Sequence, residues 1–328
     1  MSSQTKSIIN KANTKKDKYS ILTFDTHERY QTELAKTGHD FYAFRYEGCK
    51  EWDETYSKKP SNYYTLPENT VFGFLDFDFI LSQSKFGQFQ AAQAINRTLG
   101  LPVVSLEHTL PIPNWPDEQT NAFRQMTGDI NVFISNYSAG AWNMNINPTV
   151  ITHCVDTEIF KPKAHKKNKS VLSVVNDFAN RDYCCNYSGW QRITKDLPVK
   201  LVGNSPGLSK PAKDTDELVG EYQKAGVFLN TSTVSPVPTS LLEAMACGCA
   251  VVSTATCMIP EIIQNGFNGF ISNDESELRS YVEQLLEDPE LAGRLGAEAR
   301  KTVTEKFSEQ KFINNWNEVF DLAHGMKK

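Results

Sequence analysis

The densest chemistry in the chain is the stretch Thr231–Gly248, TSTVSPVPTSLLEAMACG. Polar and proline residues run to Pro238 and then yield to a helical pattern, so Thr239 and Ser240 fall at a helix start. The first N–H groups of a helix have no intrahelical partner and lie at the positive end of its dipole. Such a terminus binds anions and suits a diphosphate. Glu243 stands one turn in, where a carboxylate is tolerated electrostatically and can accept ribose hydroxyls. Ser240 with Glu243 also reads as an ordinary capping box, and spacing alone does not separate the two. Ala244, Ala246 and Gly248 are small enough to let the helix lie close on a sheet. The next loop, Ser253–Glu261, again follows a strand and enters a helix, with Pro260 near its first turn. Open parallel sheets bind ligands outside the carboxyl ends of their strands, so two such loops side by side make a nucleotide crevice.

The elements that carry these loops alternate along the chain. Tyr19–Phe24 reads as a strand and 28–36 as a helix stopped by Gly38. A strand at 39–46 follows, and 47–70, broken by Pro60 and Pro67, reads as loop. Strands at 77–81, 103–106 and 132–135 then alternate with helices at 88–99 and 119–127. This rhythm requires a parallel sheet. After the linker-like run PKAHKKNK at 162–169 it restarts. Strands are expected at 171–175, 199–202, 227–230, 250–253 and 269–271. Helices are expected near 186–195, 214–225, 239–247 and 259–264, with a long helical region over 275–323. The fold class is therefore α/β, with two Rossmann-like parallel-sheet domains facing across a cleft. The expected organisation is a flexible basic tail over 1–18, a first sheet domain over 19–150, a second over 151–305, and a last helix over 306–328.

Composition narrows the class. The 328 residues are 40% hydrophobic and 22% charged, ordinary values for a folded chain of about two domains. No apolar run approaches the roughly 20 residues of a membrane span and no signal core precedes residue 19, so a cytoplasmic location is expected. The seven cysteines show no paired C-x-x-C spacing and read as free thiols. Basic and acidic residues number 14 and 16 before residue 151 and 20 and 23 after it. Neither half is a nucleic-acid clamp by charge. The exception is the tail, with five lysines against one aspartate in residues 1–18.

From about residue 150 onward the motifs resemble the retaining glycosyltransferases of the two-domain GT-B architecture, family four, also called glycosyl transferases group 1. His153-Cys-Val-Asp-Thr-Glu-Ile-Phe-Lys-Pro162 is similar to the family's N-G-V-D-x-x-x-F-x-P segment. Leu242-Glu-Ala-Met-Ala-Cys-Gly-Cys-Ala-Val-Val252 is similar to L-E-A-M-A-x-G-x-P-V-V, and Ile259–Gly269 to P-E-I-I-x-x-G-x-N-G. Earlier, Phe77–Ser82, Val103–His108 and Ile134–Ser138 resemble acceptor-domain strand ends. The resemblance implies metal-independent transfer of a hexosyl or pentosyl unit from a nucleoside diphosphate, with retention and with no cofactor beyond that co-substrate. It also implies an acceptor-side domain over 19–150, a nucleotide-sugar-binding domain over 151–305, and a helix over 306–328 that crosses back, where Phe312, Trp316 and Phe320, four residues apart, would pin the two domains together. Its site roles are Glu243 on the ribose, the amides of Thr239 and Ser240 on the diphosphate, Arg181 as a cation beside it, and His108 against the transferred sugar. Ser235 and Gly203 complete the donor-side set.

Three departures qualify that resemblance. The family's first glutamate, eight positions before the second, is Ser235. Its G-F-G is Pro236-Val-Pro238, which removes amide donors. The loop Asp25-Thr-His-Glu-Arg-Tyr30 lacks paired glycines. A catalytically inactive sugar-nucleotide-binding relative is therefore the alternative, and an epimerase of the same architecture is a third reading. A dehydrogenase is disfavoured because no G-x-G-x-x-G follows a strand. Asp76-Phe-Asp78 could instead be the metal-binding D-x-D of the other large transferase architecture. Polysaccharide and protein acceptors both stay open; a modified nucleic acid ranks behind them.

Overall fold

The computed structural model describes residues 17–164 and 167–327, so the basic tail before Asp17 lies outside the described residues. Seven strands form the first sheet: β1 (Ser20–Thr23), β2 (Asp40–Arg45), β3 (Tyr63–Glu68), β4 (Phe79–Ser82), β5 (Val103–Glu107), β6 (Ile130–Phe133) and β7 (Thr149–Val150). Their order is β3-β2-β1-β4-β5-β6-β7, with parallel pairing throughout. Helices α1 (Glu28–Ala35), α2 (Gln88–Leu99), α3 (Asp117–Arg124) and α4 (Asn136–Trp142) make the crossovers beside irregular segments. Strands β4, β5 and β6 are buried at every residue, as strands covered on both faces must be.

The second sheet has five parallel strands: β8 (Asn168–Val174), β9 (Val199–Val202), β10 (Ala225–Asn230), β11 (Ala250–Ser253) and β12 (Phe270–Ile271), in the order β12-β11-β10-β8-β9. Helices α5 (Asp182–Cys185), α6 (Tyr187–Thr194), α7 (Thr215–Lys224), α8 (Thr239–Ala246), α9 (Ile259–Ile262), α10 (Glu275–Glu287) and α11 (Pro289–Lys306) surround it. The α/β class and the two Rossmann-like sheets expected from the sequence are thus borne out.

Three local expectations change. Residues 47–70 contain β3, which pairs with β2 at the sheet edge. Its buried residues, Tyr63 and Leu66, are three apart instead of two, which hides the alternation, and an edge position tolerates Pro67. The segment after Ser135 forms α4, capped by Ser135 and Ser138 in a reciprocal pair. The long region 275–323 is broken into α10, α11 and α12 (Glu309–Gly325). Asp288 accepts from the amides of Glu290 and Leu291 with Pro289 at the first position, and Ser308 caps α12. Each cap starts a new helix axis.

Helix α12 returns to the first sheet. Phe312, Trp316 and Phe320 share one buried cluster with Tyr19, Ile21, Phe41 and Phe79. The Trp316 indole N–H donates to the Tyr30 hydroxyl at 3.0 Å, and the Tyr19 hydroxyl donates to Asp321 at 2.7 Å. The two aspartates of the D-x-D alternative serve this docking. Asp78 lies 3.1 Å from His324 and accepts the Ser20 amide at 2.8 Å, while Asp76 pairs with Lys327 at 2.7 Å. Both precede β4 and sit at the amino edge of the sheet, opposite the edge where its strands end.

Trp316 is fully buried, so Trp316→Ala is expected to cost about 3–5 kcal/mol. Urea unfolding followed by circular dichroism should show a midpoint lowered accordingly.

Candidate functional site

In each sheet the winding reverses about one strand. β1 lies between β2 and β4, and β8 lies between β9 and β10. A crevice opens outside the carboxyl ends at such a switch point. On the first side β1 runs out to Asp25 and His27, and β5 runs out to His108. On the second side β8 leads to Arg181, and β10 leads to the loop 231–238.

That loop is held from both flanks. The Thr231 hydroxyl donates to the Cys185 carbonyl at 2.9 Å, and the Thr233 amide donates to the Cys184 carbonyl at 2.8 Å. From the other side the Thr256 hydroxyl reaches the Ser232 carbonyl at 2.9 Å. The vicinal cysteines thus act through their backbone. Ser235 is half-buried, and its backbone lies beside the Cys257 thiol. The loop then enters α8 at Pro238, and no side chain caps the helix. Of the two sequence alternatives for Ser240 and Glu243, the capping box does not form. Thr239 and Ser240 stand half-buried at an uncapped helix start, where orphan amides and the dipole favour an anion.

Glu243 turns elsewhere. Its Oε2 accepts the Tyr222 hydroxyl at 2.8 Å, and its Oε1 accepts the Arg29 guanidinium, 214 positions away in the chain. The side chain of Glu243 is only 3% exposed. The carboxylate is thus closed by a residue of the first domain. Arg29, in the first turn of α1, was missed from the sequence, where it was one charge in a loop noted for its lack of glycines. The Glu243 charge raises the Arg29 pKa further.

The other anticipated residues fall at different depths. His108 is buried, and among the described residues neither ring nitrogen has a hydrogen-bond partner. Its ring meets those of His27 at 4.7 Å, Tyr30 at 4.6 Å and His153 at 6.0 Å between centroids. Burial drives the His108 pKa well below its ordinary value and that of His153 to about 3. His27, whose edge meets solvent, is lowered to about 4, first by its crowded surroundings and then by Lys50. His108 and His153, with covered rings, are neutral at pH 7. Arg181 is exposed at the mouth, close enough for its charge to act on His27. The neighbouring Asp177 and Asp182 accept from Asn180 and Ser188 at 2.6 and 2.8 Å. Gly203 has a structural reason of its own: at φ +131° an added Cβ would lie 2.1 Å from the Val175 carbonyl oxygen. Asp25 accepts the Tyr63 hydroxyl at 2.7 Å.

A cavity of about 330 Å³ lies between α1 and residues 58–62. Glu33, Asp156 and Glu309 converge nearby on the ammonium of Lys36, which takes the place a cation would have.

Two parallel sheets whose strand ends face one crevice, with an uncapped helix start on one side and imidazoles on the other, define the GT-B class of glycosyltransferase fold. Residues 210–302 match the family of glycosyl transferases group 1, and the resemblance read from the motifs is borne out there. N-acetyl-alpha-D-glucosaminyl L-malate synthase of Bacillus anthracis is 37% identical over 82 residues, 24% of this chain and 22% of that one. Alpha-maltose-1-phosphate synthase of Mycolicibacterium smegmatis is 36% identical over 48% of this chain and 52% of its own length. The matched region thus spans about a fifth to a half of these relatives. In three dimensions, Anabaena HepE in complex with UDP-glucose superimposes with a TM-score of 0.75 at 14% identity, covering 92% of this chain and 99% of that one. Sucrose-phosphate synthase of Thermosynechococcus elongatus gives 0.73 at 13% identity, over 92% and 98%. At such identities the likeness concerns the fold. Among the described residues no helix is long and apolar enough to cross a membrane.

The histidines predict a pH dependence. A group whose pKa is lowered in the fold binds fewer protons folded than unfolded, so its stabilising contribution is full above the unfolded value and is lost as pH falls. For His153 that window runs from 6.5 down to about 3. The melting temperature is expected to fall with pH across this range, and His153→Asn should flatten the slope relative to wild type in the same buffers.

Proposed function

We propose that this chain transfers a sugar from a nucleoside diphosphate to an acceptor hydroxyl, with retention of anomeric configuration and without a metal. The observation that carries the reading is the uncapped start of α8 at Thr239 and Ser240, set beside Glu243 in a crevice closed by the first domain. Orphan amides aimed at a developing diphosphate charge stabilise it with no reorganisation. Arg181 at the mouth adds a cation. In the transfer, the anomeric C–O bond to the diphosphate breaks and the acceptor oxygen bonds to the same face. The acceptor proton passes to the departing diphosphate oxygen, so no protein base is obligatory. His108, neutral and with both ring nitrogens unfilled, would contact the sugar. Closing the two domains over the donor would keep water out.

The domain roles follow the same logic, with the donor on the second sheet, residues 151–305, and the acceptor on the first, residues 19–150. The acceptor would be a polysaccharide or protein hydroxyl. The solved HepE complexes hold UDP-glucose, UDP, and UDP with glucose, which makes uridine diphosphate sugars the first donors to try. Ser235 in place of a carboxylate and the Pro236-Val-Pro238 loop favour a second reading, binding without turnover. It differs in one measurable product, the released nucleoside diphosphate.

A thermal-shift screen against nucleoside diphosphates and their sugars tests the reading, since a ligand at 100 times its Kd stabilises the fold by about 2.7 kcal/mol. A selective rise with one nucleotide sugar is expected, and no rise with any would overturn the proposal. Glu243→Ala is expected to weaken donor binding about ten- to hundredfold, the worth of one charged hydrogen bond at about 1.5–3 kcal/mol. Equal donor binding by this variant would remove Glu243 from the site.

A further inference from the structure

The two oxygens of Glu243 have partners of different kinds. Oε2 accepts from Tyr222 on α7, a fully buried residue of the same domain. Oε1 accepts from Arg29, which arrives across the crevice from α1 with 37% of its side chain exposed. Tyr222 also packs against Phe228 and Phe160, at 5.8 and 6.2 Å between ring centroids, and is locked in the second core. Arg29 has a weaker tether, a 3.4 Å contact from its Nε to the Tyr56 carbonyl. One partner is fixed and the other can leave into solvent.

Access then decides what Glu243 can do. The carboxylate is 3% exposed, and the group lying over it from the opposite domain is Arg29. A ribose reaching Oε1 has to take the place the guanidinium holds. We propose that Arg29 is a specificity-determining residue of the donor site: in the ligand-free chain it fills the ribose position at Glu243 Oε1, and a nucleotide enters by displacing it while Tyr222 keeps the carboxylate aimed. The proposal rests on the reading of Glu243 as the ribose contact. It goes further by giving the first domain a hand in nucleotide binding and by assigning Tyr222 as a positioning residue.

The consequence is a competition. A site open in a fraction of molecules shows an apparent Kd raised by the inverse of that fraction, so a guanidinium seated in about nine molecules of ten weakens nucleotide binding about tenfold. Pyrophosphate has no ribose and does not need Oε1. Removing a cation from an anion-binding crevice weakens anion binding by charge alone. Tighter nucleotide binding on removal of Arg29 therefore has the sign that neither a purely electrostatic nor a purely structural role gives.

The experiment is calorimetric titration of wild type, Arg29→Met, Arg29→Gln and Tyr222→Phe. The ligands are pyrophosphate and whichever of UDP, GDP, ADP and CDP wild type binds most tightly, and thermal melts confirm that each variant is folded. Both Arg29 variants are expected to bind the nucleotide about five- to tenfold more tightly and pyrophosphate no more tightly than wild type. Tyr222→Phe should weaken the nucleotide and leave pyrophosphate unchanged. Nucleotide binding unchanged or weakened in both Arg29 variants would overturn the competition, as would an equal gain for pyrophosphate. Should neither wild type nor the Arg29 variants bind any of the four nucleotides, the donor reading itself fails, and that result is distinct from loss of the competition alone. Binding by the Arg29 variants where wild type shows none supports the proposal in its strongest form.

Discussion

A parallel sheet has no freedom about where its chemistry goes. Each strand must be followed by a crossover, so every strand carboxyl end and the helix start that follows it share one edge. This chain meets that constraint twice, and helix α12 ties the end of the chain back onto the first sheet through Phe312, Trp316 and Phe320. The uncapped start of α8, the loop 231–238, His108 and the first turn of α1 all lie on the edges so defined. Their chemistry differs, but their placement has one cause.

The crevice combines fixed and movable parts. The loop before α8 is held by Cys184 and Cys185 carbonyls on one flank and by Thr256 on the other, which leaves its amides preorganised. The imidazoles of His108 and His153 are kept neutral by burial, so the positive charge there comes from arginine, from Lys50 and from backbone dipoles. Arginine suits the role because it stays charged when partly desolvated and its planar fork matches carboxylates and phosphates. The Arg29–Glu243 pair is where the two domains meet as charges. Its partners differ in exposure, so the pair joins a rigid core to a side chain that solvent can take back.

Features that stood out in the sequence found ordinary explanations as readily as functional ones. Asp76 and Asp78 have the spacing of a metal motif, yet they anchor the last helix through Lys327 and His324. Gly203 sits where two backbones approach too closely for any Cβ. Glu33, Asp156 and Glu309, brought together only by the fold, have the chemistry of a cation site and share the ammonium of Lys36. In each case the residue type was informative and the partner was decisive.

Local pattern was enough to define the alternation of strands and helices, the helix start at Thr239 and the second-domain motifs, because each is written in contiguous spacing; the return of the last helix through Phe312, Trp316 and Phe320 was implied by the family resemblance. An edge strand whose buried residues are three apart was not legible, since its periodicity is set by a register shift against β2. Nor was the position of the Glu243 carboxylate, which forms no capping box with Ser240. It is held by Arg29, 214 positions earlier, and by Tyr222 on another helix. A sequence fixes which side chains a helix start presents, but only the folded chain fixes what reaches them from across a crevice, because that contact depends on how two separately formed sheets are set against each other.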